Sequence, residues 1–248
     1  MGAFKGWQST VNNKLFSGFP NRRTRSTNYR FGFSSALLDW DPRFNINSAV
    51  NDGLVSTWRD TISNLILKSP TVGNSPLYVS SFPSFNNFPA VNMNLDKTIL
   101  LSDSHWNLPG QITIAIVYKL NGINSAVNTL LSSNVGSAQG RVLAAVSAAP
   151  LNGAGLYDGV TPVLNSTISD TAAHIVVISN RACVVDGVVY SSGAIRFRSP
   201  FKALGTTTSN TGQNALSNYG RLTIFGYSMS STDCVALCNQ MNNQYLVY

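Results

Sequence analysis

The chain has 248 residues, enough for one large β domain, and a net charge of +7 from 17 basic and 10 acidic residues. All ten acidic residues are Asp, and a chain without Glu that is rich in Asn, Ser and Gly disfavours extensive helix. No run approaches the roughly 18 consecutive apolar residues of a membrane-spanning helix, so we predict no membrane partner.

The first 34 residues predict an N-terminal arm that precedes a separate domain at 35–248. Residues 1–38 hold six basic side chains and no acid, which leaves 11 basic and 10 acidic residues in the remainder. Seven aromatic residues also fall within 1–34 without a regular spacing, so we expect no core of the arm's own. We predict that the arm binds a partner through Phe4, Lys5, Trp7, Lys14, Phe16, Arg22, Arg23, Arg25 and Arg30.

Strand patterns dominate the chain from residue 35. Period-2 alternation is clearest at 112–119, with shorter examples at 129–132, 141–146, 174–179 and 222–227. In residues 183–190, two β-branched runs flank Asp186-Gly187, the pair that a two-residue type I′ hairpin turn prefers. Short, polar, Gly-rich connections between these strands predict an antiparallel sandwich.

Two tryptophans mark the core of the first predicted strands. Trp40 and Trp58 have polar neighbours in sequence, so alternation predicts that both indoles point inward. The same alternation predicts that Asp39, Asp41 and Arg59 point outward. Further predicted core residues are Ile114, Ile116, Val176 and Ile224.

One helix is predicted, at residues 231–243. Ser230 followed three residues later by Asp233 predicts a capping box in which Asp replaces the usual Glu. The apolar side of this helix consists of Cys234, Val235, Cys238, Met241 and Tyr245. Together with Cys183, the cysteines are too few for a disulfide framework and lack the CxxC spacing of a zinc site. We therefore expect buried thiols and folding in a reducing cytoplasm.

The order and spacing of several segments resemble the concanavalin A-like, laminin-G-type lectin sandwiches. These segments are Leu38-Asp39-Trp40-Asp41, Asp52-Gly53, 55–60, 89–93, the strand at 112–119, the Asp186-Gly187 hairpin, and 222–224 with the terminal helix. The resemblance covers residues 38–248. It implies an all-β fold, a two-layer antiparallel jelly-roll sandwich with a short C-terminal helix, preceded here by the extended arm.

The most similar versions of this domain occur in bacteriophage virion proteins and secreted bacterial modules. The resemblance therefore implies a homo-oligomeric virion protein assembled in the host cytoplasm: a capsid decoration, a head fibre or a tail-associated adhesion module. Its arm would dock on other virion proteins, and its lectin-like domain would face host glycans. Two alternatives stay open: a soluble, non-catalytic carbohydrate-binding module, and a jelly-roll capsid protein whose basic arm binds nucleic acid. We favour a docking arm over a nucleic-acid-binding arm or a solubilising tail. A solubilising tail is the least favoured, because it does not need seven aromatic residues.

Catalysis is not predicted. The glucanases of this fold resemble one another in paired Glu residues, and this chain has no Glu. Asp39 and Asp41 precede Pro42 at a strand end, where structural roles are favoured. A serine hydrolase needs a histidine base and a G-x-S-x-G elbow; the elbow is missing, and His174 opens an apolar run that predicts a core or strand-end role.

No cofactor is predicted. Aspartates supply the hard oxygen ligands that calcium prefers, so calcium is the alternative that we weigh against structural roles at turns and strand ends. Structural roles are favoured for the aspartates concerned, which are Asp39, Asp41, Asp52, Asp60 and Asp158.

Two predicted loops have the composition of a sugar site. Such a site uses an exposed aromatic ring as a stacking plate, with Asp and Asn as hydrogen-bonding groups. Residues 103–107 and 156–159 supply these types. We predict glycan contacts from Asp103, His105, Trp106, Tyr157 and Asp158, with a core-plugging role as the alternative for the tryptophan.

Overall fold

In the computed structural model of the protein, the described residues are 35–48, 50–93, 100–122, 127–132, 141–146, 153–157, 162–168, 170–193, 201–205 and 216–248. Within them the chain forms sixteen strands and one α-helix. The strands are β1 (Ala36–Trp40), β2 (Thr57–Arg59), β3 (Ile66–Lys68), β4 (Leu77–Phe82), β5 (Phe88–Met93), β6 (Leu100–Leu101), β7 (Thr113–Leu120), β8 (Val127–Ser132), β9 (Arg141–Val146), β10 (Gly155–Tyr157), β11 (Pro162–Asn165), β12 (Ala173–Ser179), β13 (Ala182–Val185), β14 (Val188–Ser192), β15 (Ala203–Leu204) and β16 (Ser217–Phe225). The helix is α1 (Ser231–Tyr245).

The strands form two eight-stranded antiparallel sheets. The first sheet has the order β14-β13-β12-β7-β16-β5-β4, and β1 pairs with the part of β16 beyond β5. The second sheet has the order β11-β10-β9-β8-β15-β6-β3-β2. The predicted two-layer antiparallel sandwich with a C-terminal helix is confirmed.

The main core lies between the two sheets. All six predicted core residues are buried there: Trp40, Trp58, Ile114, Ile116, Val176 and Ile224. The intervening residues of β7, Ala115 and Val117, belong to a second cluster on the other side of the first sheet, where α1 packs. The centre of the first sheet is thus covered on both faces, which is why β7 and β12 are apolar at nearly every position.

The helix begins where the sequence predicts and extends two residues further. Ser230 has extended backbone and accepts a hydrogen bond from the Asp233 N–H at 3.2 Å, while its hydroxyl donates to the Asp233 carboxylate at 2.9 Å. Five side chains of α1 are buried against the sheet: Cys234, Leu237, Cys238, Met241 and Tyr245. All three cysteines are free, as predicted. Within the described residues, no helix is long and apolar enough to cross a membrane.

The Asp-Gly hairpin is also confirmed. Asp186 (φ 50°) and Gly187 (φ 79°) join β13 to β14, and both adopt the positive φ that a type I′ turn requires. Among the predicted strands, the one at 222–227 differs most from the structure. The corresponding strand, β16, begins five residues earlier, at Ser217. The first half of β16 was not predicted because the residues before Leu222 are mostly polar or glycine and show no apolar alternation.

Candidate functional site

Asp39 and Asp41 do not face solvent, which corrects the outward orientation predicted by alternation. Their exposures are 4% and 1%, whereas Arg59 is exposed as predicted. The reason is that β1 lies in the sheet whose outer face is covered. Asp39 pairs in register with Thr223 of β16, and its carboxylate meets the side chains that β16 presents on that covered face.

Asp39 and Arg221 form a buried, bidentate ion pair. Arg221 donates from Nε to Oδ1 at 2.8 Å and from Nη2 to Oδ2 at 2.7 Å. The hydroxyls of Thr223 and Thr61 donate to the same carboxylate at 2.8 and 3.1 Å. Burial alone would lower the pKa of Arg221, but the charge and hydrogen bonds of Asp39 raise it well above its usual value. Each oxygen of the Asp39 carboxylate thus accepts two hydrogen bonds, and both side chains of the ion pair are buried, which suits a structural role.

Asp41 is bound in a similar way by Arg43, whose Nε donates to Oδ1 at 2.8 Å and whose Nη2 also bonds to the carboxylate. The guanidinium lies 5.0 Å from the ring centroid of Phe88 and 5.4 Å from that of Phe44. Burial lowers the pKa of Arg43, and the bond to Asp41 reverses this and raises it. Neither carboxylate of the Asp39–Asp41 pair is therefore available to a substrate.

Asp52 and Asp60, the two other described aspartates weighed as calcium ligands, are not gathered into a metal site. Asp60 is fully buried and accepts the backbone N–H groups of Ile62, Ser63 and Leu65, which makes it a turn organiser. Asp52 is exposed, and Asp158 lies outside the described residues. In the described ranges, no group of three His, Cys or Asp side chains is placed to hold a metal ion.

Trp106 is 1% exposed, which corrects its predicted role as a stacking plate. Its ring lies 4.9 Å from that of Trp40 and 6.0 Å from that of Phe201. Its Nε1–H donates to Ser102 Oγ at 2.9 Å, and its backbone N–H donates to Phe201 O at 2.8 Å. The indole is a core plug, the alternative raised from the sequence, and it fixes the loop that follows β6.

The loop anchored by Trp106 nevertheless presents polar groups to solvent. Asp103 is exposed, with its side chain at 80%, and its Oδ2 lies 2.7 Å from Nζ of Lys68 in β3. His105 and Asn107 are also exposed. An exposed carboxylate is thus paired with an exposed ammonium group, and an exposed imidazole follows two residues later on a loop held by a buried indole.

The other predicted glycan residues lie elsewhere on the same sheet. Tyr157 ends β10 and is the register partner of Arg141 in β9. From there, register partners continue through Ser132 and Ala203 to Leu101 in β6, just before Asp103. Four strand steps of about 4.8 Å separate Tyr157 from Leu101 by about 19 Å, so the two predicted loops do not form one sugar subsite. Asp158 lies outside the described residues.

The nine predicted partner-binding residues of the arm all fall within 1–34, outside the described residues. Their contacts stay a prediction.

His174 has the strand-end, interior role that the sequence predicts. Its ring is buried, and both ring nitrogens meet carboxylates: Nδ1 lies 2.7 Å from Asp186 Oδ2, and Nε2 lies 2.8 Å from Asp170 Oδ1. Sequence reasoning missed these partners. The signal that would find them is the hairpin itself, because Val176 pairs with Val185 and so brings the turn aspartate beside the start of β12.

Similarity to known proteins is structural. No protein-family model matches the chain, and no curated protein matches it by sequence. The fold is similar to domain 4 of AbnA, a GH43 extracellular arabinanase from Geobacillus stearothermophilus, in complex with arabinotriose (TM-score 0.54, 14% identity, 72% of this chain and 91% of that domain). It is similar to the binding domain of Paraclostridial Mosquitocidal Protein 1 (TM-score 0.55, 10% identity, 85% of this chain and 53% of that one).

A third similar structure is an enzyme, the Trypanosoma rangeli sialidase in complex with 2,3-difluorosialic acid (TM-score 0.52, 10% identity, 84% of this chain and 33% of that one). The chain thus spans about half of the toxin domain and a third of the sialidase. At these identities the likeness establishes the fold alone, a two-layer antiparallel β-sandwich. The three proteins with a similar fold are a domain solved with arabinotriose, a toxin binding domain and an enzyme.

Proposed function

We propose that the domain is a non-catalytic carbohydrate-binding module. The observation that carries this proposal is the likeness to the arabinanase domain bound to arabinotriose, which extends over 91% of that domain. The likeness therefore covers nearly all of a domain that was solved with a bound sugar, and 72% of this chain. Among the alternatives raised from the sequence, this one has the most support.

The absence of catalysis in this proposal is supported by how the acidic groups are used. Asp39 and Asp41 are the pair nearest in sequence to a two-carboxylate arrangement, and each is bound by an arginine in the interior. His174 has both nitrogens engaged by carboxylates. These groups hold the sandwich together and are out of reach of a glycosidic bond.

We place the sugar contacts at the loop after β6. Asp103, which pairs with Lys68, and His105 are both exposed there and can exchange hydrogen bonds with sugar hydroxyls. The buried Trp106 gives this loop the rigid support that a binding site needs. Tyr157, about 19 Å away along the sheet, is a separate candidate for a second sugar unit.

The test is titration calorimetry with arabinotriose, together with an array of immobilised glycans. For a glycan that binds, Asp103→Ala with His105→Ala should weaken affinity at least tenfold, while Asp52→Ala, an exposed aspartate on another loop, should leave it unchanged. Tyr157→Ala tests the second locus. Trp106→Ala is not a clean probe because it removes core packing. A wild-type protein that binds neither arabinotriose nor any arrayed glycan would refute the proposal.

The finer role, attachment to a virion through the arm, is supported by sequence alone. Residues 1–38 carry six basic groups and no acid, and 1–34 contain seven aromatics, a combination suited to steering by charge and anchoring by rings. None of the three structures described above is a virion protein, and their likeness favours the sugar-binding module.

Removal of residues 1–34 tests the arm. The truncated protein should keep the melting temperature of the full chain yet fail to join the particle. Arg22, Arg23 and Arg25 changed to Ala should slow association, whereas Phe4, Trp7 and Phe16 changed to Ala should speed dissociation. Incorporation of the truncated chain at wild-type occupancy would rule out the arm as the anchor. Competition by nucleic acid with a steep salt dependence would favour the packaging alternative.

A further inference from the structure

A buried histidine stands between two carboxylates where a hairpin turn meets the helix. His174 lies at the start of β12, its side chain 6% exposed, with its ring 5.8 Å from that of Tyr118. Nδ1 is 2.7 Å from an oxygen of Asp186, and Nε2 is 2.8 Å from an oxygen of Asp170. Both are hydrogen-bond distances.

Only one protonation state of His174 fits this arrangement. A neutral imidazole has one N–H and one lone pair, so it can donate to one carboxylate and must turn its lone pair toward the other. The imidazolium has two N–H groups and donates to both. Its charge is also compensated on both sides, as a buried charge requires.

The two carboxylates are themselves fixed to backbone. Asp186 Oδ1 accepts the Ile175 N–H at 2.8 Å, and the Asp186 N–H donates to Ile175 O at 3.0 Å. Asp170 Oδ1 accepts the Ala172 N–H at 2.7 Å. The imidazolium therefore ties the segment before β12 to the turn between β13 and β14.

The same turn contacts the helix. The Gly187 N–H donates to Sγ of Cys238 at 3.2 Å, and a Cβ on Gly187 would lie 2.9 Å from Oδ1 of Asn239. The Cys238 thiol donates to Ile175 O at 3.5 Å. Contacts thus connect His174 through the turn to the middle of α1.

We propose that His174 is held as an imidazolium at neutral pH and acts as a latch, which loosens the β13–β14 turn and its contact with α1 when the proton leaves at alkaline pH. The proposal does not depend on sugar binding. It assigns a conformational role to a charged group that the proposed function leaves unused.

The thiols and phenols around His174 have raised pKa values. Burial raises the pKa of Tyr118 well above its usual value, that of Cys183 to about 12 and that of Cys238 to about 11. Burial also raises the pKa of Tyr248, which bonds to Asn239 next to the turn. Lys119 donates from Nζ to Thr171 O at 2.9 Å beside Asp170. None of these thiols and phenols is therefore expected to change charge near neutral pH.

The direction of the effect follows from linkage. Burial alone would lower the pKa of His174, but its bonds to Asp186 and Asp170 outweigh burial and raise that pKa. For Asp170, burial would raise the pKa, but the bond to His174 lowers it, and the net change is a decrease. A raised folded-state pKa gives stability that is complete below the unfolded value of about 6.5 and is lost as pH rises through the folded value.

Nitrogen NMR of the imidazoles tests the protonation state directly. The chain has two histidines, so His105→Gln assigns both sets of signals. At pH 7, His174 should show two protonated ring nitrogens with slowly exchanging protons, and it should lose one of them at higher pH. A single ring N–H on His174 at pH 7 would overturn the proposal.

Hydrogen exchange tests the latch. Between pH 7 and the pH at which His174 loses its proton, exchange at the Ile175 and Gly187 amides should accelerate at least tenfold more than the intrinsic chemistry requires. His105→Gln should behave like wild type, and His174→Gln should be open at both pH values. If His174→Gln does not fold, Asp170→Asn should shift the opening to lower pH. Opening at the same pH in Asp170→Asn and wild type, or no opening in wild type, would overturn the latch.

Discussion

Replacing Asp39 by Leu tests whether the buried cluster under α1 holds the sandwich together. The change removes a carboxylate that accepts two hydrogen bonds from Arg221 and one each from Thr223 and Thr61. The Arg221 guanidinium, whose side chain is 7% exposed, then stays charged in the interior. Removing one partner of such a pair is far more harmful than removing both.

The expected loss in the free energy of unfolding is about 3–5 kcal/mol, the range for a buried ion pair that loses one member. The lower end is favoured because Asp41 Oδ2 lies 3.7 Å from Arg221 Nη1 and retains part of the compensation. Replacing both partners, Asp39→Leu with Arg221→Met, removes the orphaned charge. The double variant should therefore be more stable than Asp39→Leu alone, which is a strongly non-additive result.

The assay is urea unfolding followed by circular dichroism for the wild type, both single variants and the double variant. Asp103→Ala is the matched control, because it breaks an ion pair whose side chains are 47% and 80% exposed. It should change stability by less than about 1 kcal/mol. The structural argument would be refuted if Asp39→Leu cost no more than the control, or if the double variant lost the sum of the two single effects.

Two further stability predictions follow from the core and the hairpin. Trp58→Ala should cost about 3–5 kcal/mol as a large core truncation. The indole is fully buried and its Nε1 has no hydrogen-bond partner among the described residues, so chemical denaturation should report lost packing. Gly187→Ala should cost about 1–3 kcal/mol, because φ is +79° there and the new methyl group would meet Asn239, and a melting temperature equal to the wild type would contradict this.

Features set by neighbouring residues in the chain were predictable. The Asp186-Gly187 turn depends on the φ values of two adjacent residues, and the helix start depends on Ser230 and Asp233. Alternation likewise identified Trp40 and Trp58 as inward-facing, since the pleat of a strand fixes which residues share a face.

Features set by distant parts of the chain were not. Alternation assigned Asp39 correctly to the face opposite Trp40. Only the tertiary structure shows that α1 covers that face and that Arg221 lies there to pair with Asp39. Trp106 has the sequence context of an exposed loop aromatic, and its burial depends on Trp40 and Phe201, each more than 60 residues away. Composition cannot separate a loop ring that binds a ligand from one that plugs a core.

The coverage of the first sheet also limits where a ligand can bind. Its inner face packs against the second sheet, and its outer face carries the α1 cluster and the Asp39–Arg221 pair. Among the described strands, Lys119 of β7 is partly exposed on the outer face of the first sheet, whereas Arg59 of β2 and Lys68 of β3 are exposed on the second sheet. For the proposed sugar-binding function, the Lys68–Asp103 pair marks the place where the outer face of the second sheet meets the loop anchored by Trp106.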